Sequence, residues 1–302
     1  MRIFVAGGSG TIGVPLVRAL VSAGHQVTAM TRSPEKQSEL RALGATPAVA
    51  DAFDAAAVRR VVADARPEVV IHQLTALPKD GPKSSADLEG TNRLRIEGTR
   101  NLLAAAVSAG ARRFIGGSFA LLPSQRGAES FADAAAEAVR SMETQIVDAS
   151  RAGQIEGVVL RYGLFYGPGT PSTENMVKLV RRRRLPVIRG DRGQLPVIHL
   201  DDAVGATLAA LGHGMAGGVY DVVDDRAVSM TEIVETIAHY TGSSKPFRVP
   251  GWLPRLLAPY MARVTSVRMP LSNQKAKTEL GWHPRYATMN EGLAAMLHPA
   301  AS

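Results

Sequence analysis

Three glycines near the start of the chain recur at a spacing that can hold a phosphate. Gly7, Gly10 and Gly13 fall every third residue in MRIFVAGGSGTIGV, and Gly8-x-Gly10-x-x-Gly13 also fits the dinucleotide-binding fingerprint. A tight turn from strand to helix needs residues that tolerate positive φ, and a pyrophosphate can approach closely only where Cβ atoms are missing. The first N–H groups of the following helix then supply donors and a favourable dipole. The context agrees: the apolar run Ile3–Ala6 precedes the glycines, a helical pattern opens near Thr11, and Pro15 lies in a first turn that tolerates it. Gly7, Ser9, Gly10, Thr11, Ile12 and Gly13 are the expected phosphate contacts.

A second group of residues bears on which dinucleotide is held. About twenty residues after such glycines, an acid at the end of the second strand would bind the ribose 2′-hydroxyl of NAD. Here the sequence runs Met30-Thr31-Arg32-Ser33-Pro34-Glu35-Lys36, with no acid at the strand end. Arg32 can stack on adenine and fork onto a 2′-phosphate, and Ser33 and Lys36 can add hydrogen bonds, so the expected cofactor is NADPH. Asp51, followed by Ala52, can accept from the adenine amino group or cap the next helix.

The elements that must position these residues alternate. Strands are expected at Arg2–Ala6, Gln26–Met30, Thr46–Ala50, Glu68–Gln73, Arg113–Gly117 and Gly157–Tyr162. Helices are expected at Thr11–Ala23, Lys36–Leu43, Ala55–Ala65, Asp87–Ala109 and Asp133–Ser150. That order predicts an α/β fold with a doubly wound, Rossmann-type parallel sheet, covered on both faces. After Tyr162 the alternation breaks, and LFYGPGTPSTEN reads as turn rather than as an element interior. A helix ending at Arg183, a strand at Leu195–Leu200, a helix at Ala203–Leu211, a strand at Val219–Val223 and helices at Thr231–Tyr240 and Asn290–Leu297 follow. The expected organisation is a nucleotide-binding domain over 1–163, with 203–225 returning to it. A smaller C-terminal substrate-binding lobe would be built from 164–202 and 226–302.

Bulk composition narrows the function classes. The chain has 302 residues, 45% hydrophobic and 21% charged, enough to build a real core. Without cysteine it has no disulfide, thiolate metal site or cysteine nucleophile, which suits a reducing compartment. The first thirty residues show no cleavage site and no apolar run reaches membrane length, so no signal peptide or span is expected and the cytoplasm is the expected location. The net charge of +8 includes the run Arg181–Arg184, but that run closes a helical pattern, where cations are favoured, and no nucleic-acid module or interleaved aromatics accompany it. Small-molecule binding by a monomer or homodimer is expected, without nucleic acid, membrane or metal.

By these residues the chain resembles the extended short-chain dehydrogenase/reductase superfamily, which includes NAD-dependent epimerases and dehydratases. GGSGTIG is similar to the family's Gly-x-x-Gly-x-x-Gly motif, and Asp51 to its adenine-contacting Asp. His72–Ala76 (HQLTA) resembles the segment beside the cofactor, which implies contacts from Leu74, Thr75 and Ala76. NRLRIEGTRNLL, from Asn92, resembles the family's helix signature. RYGLFYGP, from Arg161, resembles the stretch along the nicotinamide, which implies contacts from Tyr162, Gly163, Leu164 and Phe165. His199–Ala203 and Lys277–Tyr286 resemble two late signatures.

The chain departs from the family at its acid–base pair. Members usually carry Tyr-x-x-x-Lys on the helix after the fifth strand. With Glu143 aligned to the family's downstream Glu, Ala135 and Val139 stand at those two positions, and no Tyr occurs before Gln145. Ser118 matches the family's Ser/Thr position and is also an expected cofactor contact. Ser118 and Tyr162 are therefore the remaining catalytic candidates. Two readings follow: an atypical ketoreductase of bulky aromatic polyketides, of the kind that reduces angucyclinones, or an NADP(H)-binding redox sensor without chemistry. In the first, the proton comes from water, from Ser118 or Tyr162, or from a substrate phenol. Epimerase and dehydratase chemistry rank lower, since both usually need the missing Tyr.

Other constellations give weaker signals. Gly116-Gly117-Ser118-Phe119-Ala120 nearly fits a hydrolase elbow, but Pro123 and turn residues stand where a helix should follow. His72 and His199 read as packed or locally bonded, Asp201-Asp202 as a helix N-cap, and Asp224-Asp225 as a turn. Pro250, Pro254 and Pro259 interrupt the apolar stretch Val249–Met269. That stretch reads as a cap over a substrate pocket, with Trp252, Leu256, Tyr260 and Met261 facing an aromatic substrate and Arg255, Arg263 and Arg268 favouring an anionic one.

Overall fold

The computed structural model describes residues 1–78, 81–120, 130–257, 268 and 271–298. The strands, in chain order, are β1 (Arg2–Ala6), β2 (Gln26–Thr31), β3 (Thr46–Val49), β4 (Val69–His72), β5 (Arg113–Phe119) and β6 (Glu156–Tyr162), then β7 (Leu164–Tyr166), β8 (Val187–Ile188), β9 (Val197–His199), β10 (Gly218–Val222) and β11 (Arg248–Val249). Seven of them form one sheet in the order β10-β6-β5-β4-β1-β2-β3, and every pairing in it is parallel. The strand order reverses between β1 and β4, the switch point outside whose carboxyl ends ligands bind in open sheets of this kind.

Both faces of the sheet are buried, as the near-continuous apolar strands demand. On one face Leu16, Val17 and Leu20 of α1 (Gly13–Ser22) join Ala203, Ala206 and Ala210 of the helix following β9. On the other lie Val58 and Val62 of α3 (Ala55–Ala65), which follows α2 (Gln37–Ala42), and Leu102 and Ala105 of a composite helix over 86–108. That composite helix contains α4 (Glu89–Arg93) and α5 (Thr99–Ser108), joined by a π-helical turn at Leu94–Gly98. Met142 and Ile146 of α6 (Ser130–Arg151) complete this second layer.

A smaller C-terminal lobe gathers around its own apolar cluster. Val177 and Val180 come from α7 (Pro171–Arg181), Leu195 and Val197 from β9 and the segment before it, and Ile233 and Ile237 from α9 (Met230–Tyr240), which lies beyond α8 (Leu200–His213). A short α10 (Trp252–Leu257) precedes two more helices, Gln274–Leu280 and Met289–Leu297. The stretch read as turn after Tyr162 is in fact partly strand: β7 pairs in parallel with β9, Leu164 opposite Val197. Pairing to a segment some thirty residues away decides this, and local composition cannot register it. Pro254 fits within α10 because it falls in the first turn.

Polar contacts tie the lobe to the sheet, and two of them correct the expected helix cap. The N-cap of α8 is His199, whose Nδ1 accepts from the Asp201 N–H at 3.2 Å. Asp202 instead accepts from the backbone N–H groups of Arg285 (2.7 Å) and Tyr286 (3.1 Å), two segments that meet only in the folded chain. The Tyr166 hydroxyl donates to Asp224 at 2.8 Å, and a Cβ on Gly292 would come within 2.6 Å of the Tyr166 ring. Asp225 accepts from Asn273 (2.7 Å) and pairs with Lys277. Among the described residues no helix is long and apolar enough to cross a membrane.

Asp224 makes the stability of this junction pH-dependent. Burial, followed by the nearby Asp202 and Asp225 charges, pushes its carboxyl up to about 8 from 3.8, despite the Tyr166 hydrogen bond. The native protein thus holds a proton that the unfolded chain has released, so this contribution is fullest below 3.8 and is lost as pH rises through about 8. Asp224→Asn should flatten the fall in stability between pH 5 and pH 8, measured by urea unfolding. An unchanged pH slope in the variant would exclude this carboxyl as its source.

Candidate active site

The glycine turn is built by close approach of backbones. Gly7 has φ of +89°, and a Cβ on it would lie 2.7 Å from the Gln73 carbonyl oxygen at the end of β4. A Cβ on Gly13 would overlap the Gly7 carbonyl oxygen, and one on Gly10 would lie 3.2 Å from it. The N–H groups of Gly7 (3.2 Å) and Gly8 (3.1 Å) both donate to the Met30 carbonyl, which pins the turn to β2. Among the described residues the N–H groups of Thr11 and Ile12, just before α1, have no backbone acceptor. The turn therefore has both the space and the donors that a pyrophosphate requires, and the residues present fit a dinucleotide.

Thr31 links the glycine turn to the loop after β2. Its hydroxyl lies 3.0 Å from the Ser9 hydroxyl and accepts from the Ser33 N–H at 3.2 Å, joining the glycine turn to the loop after β2. Arg32 beside it is exposed and has no ion-pair partner among the described residues. Lys36 is turned the other way, in an exposed pair with Glu39 at 2.8 Å, a contact weak enough to be exchanged. Asp51 does not cap α3, since Asp54 does, accepting from Ala56 (3.0 Å) and Ala57 (2.9 Å). One Asp51 oxygen accepts from the Phe53 N–H at 2.9 Å, which fixes the carboxylate at the rim beside buried Ala52.

His72 holds the segment that follows β4. Its Nδ1 accepts from the Leu74 N–H at 3.1 Å, so its Nε2 carries the proton toward the Thr99 hydroxyl at 3.0 Å. Complete burial, helped by the charge of Arg95, drives its pKa down to about 3, and the ring stays neutral. Thr91 in turn accepts from the Ala76 N–H at 2.9 Å. Leu74 and Ala76 are half-buried and Thr75 is exposed.

Both catalytic candidates are buried and hydrogen-bonded within the protein. Ser118 is 5% exposed and donates to Glu143 at 2.6 Å, while Arg161 forks onto the same carboxylate (Nε to Oε1 2.8 Å). Tyr162 is 3% exposed, with its hydroxyl held between the Gln73 amide (3.0 Å) and the Thr207 hydroxyl (2.7 Å). Burial pushes that phenol up to about 12. Period-two alternation explains the outcome: Ser118 points at α6 and Tyr162 at α8, so neither reaches the carboxyl-end crevice. Phe119, Leu164 and Phe165, at or just beyond the ends of β5 and β6, are half-buried, with the Phe165 ring 5.4 Å from that of Tyr162. Gly163 lets the chain cross over, since a Cβ on it would sit 2.8 Å from the Val197 carbonyl carbon.

The rest of the expected site divides as follows. Ala135 and Val139 are each 3% exposed, so the face of α6 where the family keeps its acid–base pair is apolar. Trp252 and Leu256 are 62% and 72% exposed, and Arg268 donates to the Arg192 carbonyl at 3.1 Å. Tyr260, Met261, Arg263, Pro259 and the side chain of Arg255 lie outside the described residues, as does the Pro123 segment. Arg95 was missed: it is 8% exposed and lies with its guanidinium carbon 5.9 Å from the Phe119 ring centroid. An Arg on a helical pattern reads as a solvated face, and nothing local marks it as buried.

Residues 3–223 match the model of the NAD dependent epimerase/dehydratase family. The chain belongs to this family. A 3-diazoavenalumate denitrifying reductase from a Streptomyces species is 37% identical over 97% of this chain and 99% of its own. A 4-hydroxy-2-methyl-3-oxo-4-farnesyl-3,4-dihydroquinoline-1-oxide ketoreductase from Stigmatella aurantiaca is 26% identical over 98% of this chain and 96% of its own. Among solved structures, the UDP-glucose 4-epimerase of Thermotoga maritima with UDP-glucose shares the fold, with a TM-score of 0.79 at 22% identity, covering 98% of this chain and 97% of that one. As a family member with reductases among its relatives, the protein is an oxidoreductase that uses a nicotinamide cofactor.

If Ser118 and Tyr162 are structural, their loss should show in stability. Tyr162→Phe and Ser118→Ala should each cost about 1–2 kcal/mol, the usual price of a buried hydrogen bond, by urea unfolding. Neither should weaken cofactor binding measured by fluorescence. A loss of turnover without a loss of stability would return them to catalysis.

Proposed function

We propose that this protein is an NADPH-dependent reductase of a bulky aromatic small molecule, acting without an acid–base pair of its own. One observation carries the reading. The close-packed turn at Gly7, Gly10 and Gly13 has room for a dinucleotide, while Ala135 and Val139 stand where the family's acid–base pair aligns and both fallback hydroxyls are buried. Bound there, the cofactor supplies a hydride. The glycine turn and the Leu74–Ala76 segment position it, and Phe119, Leu164 and Phe165 offer apolar surface to an aromatic substrate. Much of the rate in such a site comes from positioning, which an absent proton donor does not remove.

Two electrophiles suit such a site. A ketone is the first: the relatives include ketoreductases, and the proton that completes the alcohol comes from water or from a phenol beside the carbonyl. A diazo group is the second, favoured by the full-length similarity to a denitrifying reductase. There, hydride added to the terminal nitrogen of an arenediazonium gives an aryl diazene, which loses dinitrogen and leaves hydrogen on the ring. No oxygen has to be protonated, which agrees with the absence of a Tyr.

The test is NADPH consumption with product mass, over polycyclic aromatic ketones and ortho-diazophenols, each with and without a free phenol or carboxylate. Gain of two hydrogens supports ketone reduction, and loss of dinitrogen supports the second electrophile. Tight NADPH binding without turnover on either arm would instead favour a redox sensor. The preference for NADPH rests on Arg32. Arg32→Ala should raise the KM for NADPH by about 10- to 100-fold, the loss expected for a charge-assisted fork onto phosphate, and change that for NADH by far less. Equal effects on both would refute the 2′-phosphate assignment.

A further inference from the structure

Arg95 is a buried cation with no partner among the described residues. It is 8% exposed, and among the described residues its guanidinium makes no hydrogen bond and no ion pair. The fold satisfies its other buried arginine differently: Arg113 pairs with Glu156 at 2.7 Å and donates to the carbonyls of Ala210 (2.7 Å) and Leu211 (2.9 Å). An unpaired buried charge is costly, and in a cleft it marks a functional-site candidate.

Its place in the fold says what it is for. Arg95 lies in the π-helical turn Leu94–Gly98, a departure from α geometry that re-aims a side chain and recurs at functional sites. Its guanidinium lies 5.9 Å from the Phe119 ring, where β5 ends in the carboxyl-end crevice. Its charge is felt at His72, where β4 ends, and it feels Glu143 on α6. Glu143 is one turn beyond Val139, so Arg95 faces the stretch of α6 that has lost its Tyr and Lys. Glu143 cannot neutralise it, because Arg161 and Ser118 already take that carboxylate.

We propose that Arg95 is a catalytic residue that holds the negative oxygen of the aromatic substrate. This rests on the reductase reading above. As hydride adds to the carbonyl carbon, the carbon–oxygen π pair moves onto oxygen. The guanidinium N–H groups receive that alkoxide, and water supplies the proton that completes the alcohol. The electrostatic share of the work done by a Tyr–Lys pair then comes from the facing helix. Burial lowers the guanidinium to about 10, which still leaves it charged at neutral pH.

The experiment uses the NADP⁺ complex with a fluorescent aromatic anion, 3-hydroxy-2-naphthoate, and its neutral analogue naphthalene-2-carboxamide. Wild type should bind the anion at least about tenfold more tightly than the amide, in keeping with a charge-assisted hydrogen bond. Arg95→Gln should abolish that preference while NADP⁺ affinity stays the same. On a substrate that the wild type reduces, Arg95→Ala should lose about 100-fold or more in kcat, and added guanidinium chloride should restore part of it, which a purely structural role would not allow. Failure of wild type to prefer the anion, or an unchanged preference in Arg95→Gln, would overturn the proposal. Should Arg95→Gln not fold, the wild-type preference alone decides. If the anion binds through Arg95 and nothing is reduced, the reductase reading fails and the anion site stands. If reduction proceeds and Arg95→Gln is indifferent, the reverse holds.

Discussion

The near-contact of Gly13 with Gly7 governs the rest of the structure. With no Cβ at either position, α1 can begin directly over the end of β1, and the turn between them can lie against Gln73 at the end of β4. Three strands are thereby brought level at one edge: β1 through the turn, β2 through the shared Met30 carbonyl, and β4 through Gln73. That the N–H groups of Thr11 and Ile12 meet no backbone acceptor among the described residues follows from the same geometry, since the first N–H groups of a helix have no preceding helical carbonyls to meet them. A single methyl at Gly13 would push the helix away and disturb all three strands at once.

Around that edge the protein distributes polar groups unevenly. Where the family places an acid–base pair, this chain has two apolar residues on α6 and commits its nearby hydroxyls elsewhere. Ser118 and Arg161 satisfy Glu143, and Tyr162 joins Gln73 to Thr207. These bonds join β5 and β6 to α6 and α8. Chemistry in such a crevice depends on positioning and on fixed charge, both of which suit an electrophile that needs little proton transfer from the protein.

The lobe is attached by a different kind of contact. Buried carboxyl groups at Asp202 and Asp224 are matched to donors from distant segments: the backbone N–H groups at 285 and 286 for the first, and the Tyr166 hydroxyl for the second. Such bonds specify one arrangement, because a shift of the lobe would leave a buried carboxyl group without its hydrogen bond. They also make the joint titratable, which an apolar joint would not be.

Much of this was legible in the sequence because it rests on local rules. Glycine spacing, the strand–helix alternation and the absent Tyr need no knowledge of distant contacts, and they led to the sheet, the nucleotide turn and the departure from the family pattern. What the sequence could not show depends on residues far apart in the chain. β7 exists only because Leu164 meets Val197, and α8 is capped by His199 because Asp202 is drawn to Arg285 and Tyr286. Ser118 and Tyr162 looked chemical by type and position, but strand alternation turned them into two opposite cores. Nothing in the sequence singled out Arg95, but a π-helical turn and the packing of α6 buried it beside Phe119. The sequence by itself determined the fold class and the tight glycine turn, since periodicity and glycine sterics are properties of neighbouring residues. Only the tertiary structure decided which side chains face the crevice, since that depends on which strand face and which helix turn each one occupies once the layers close.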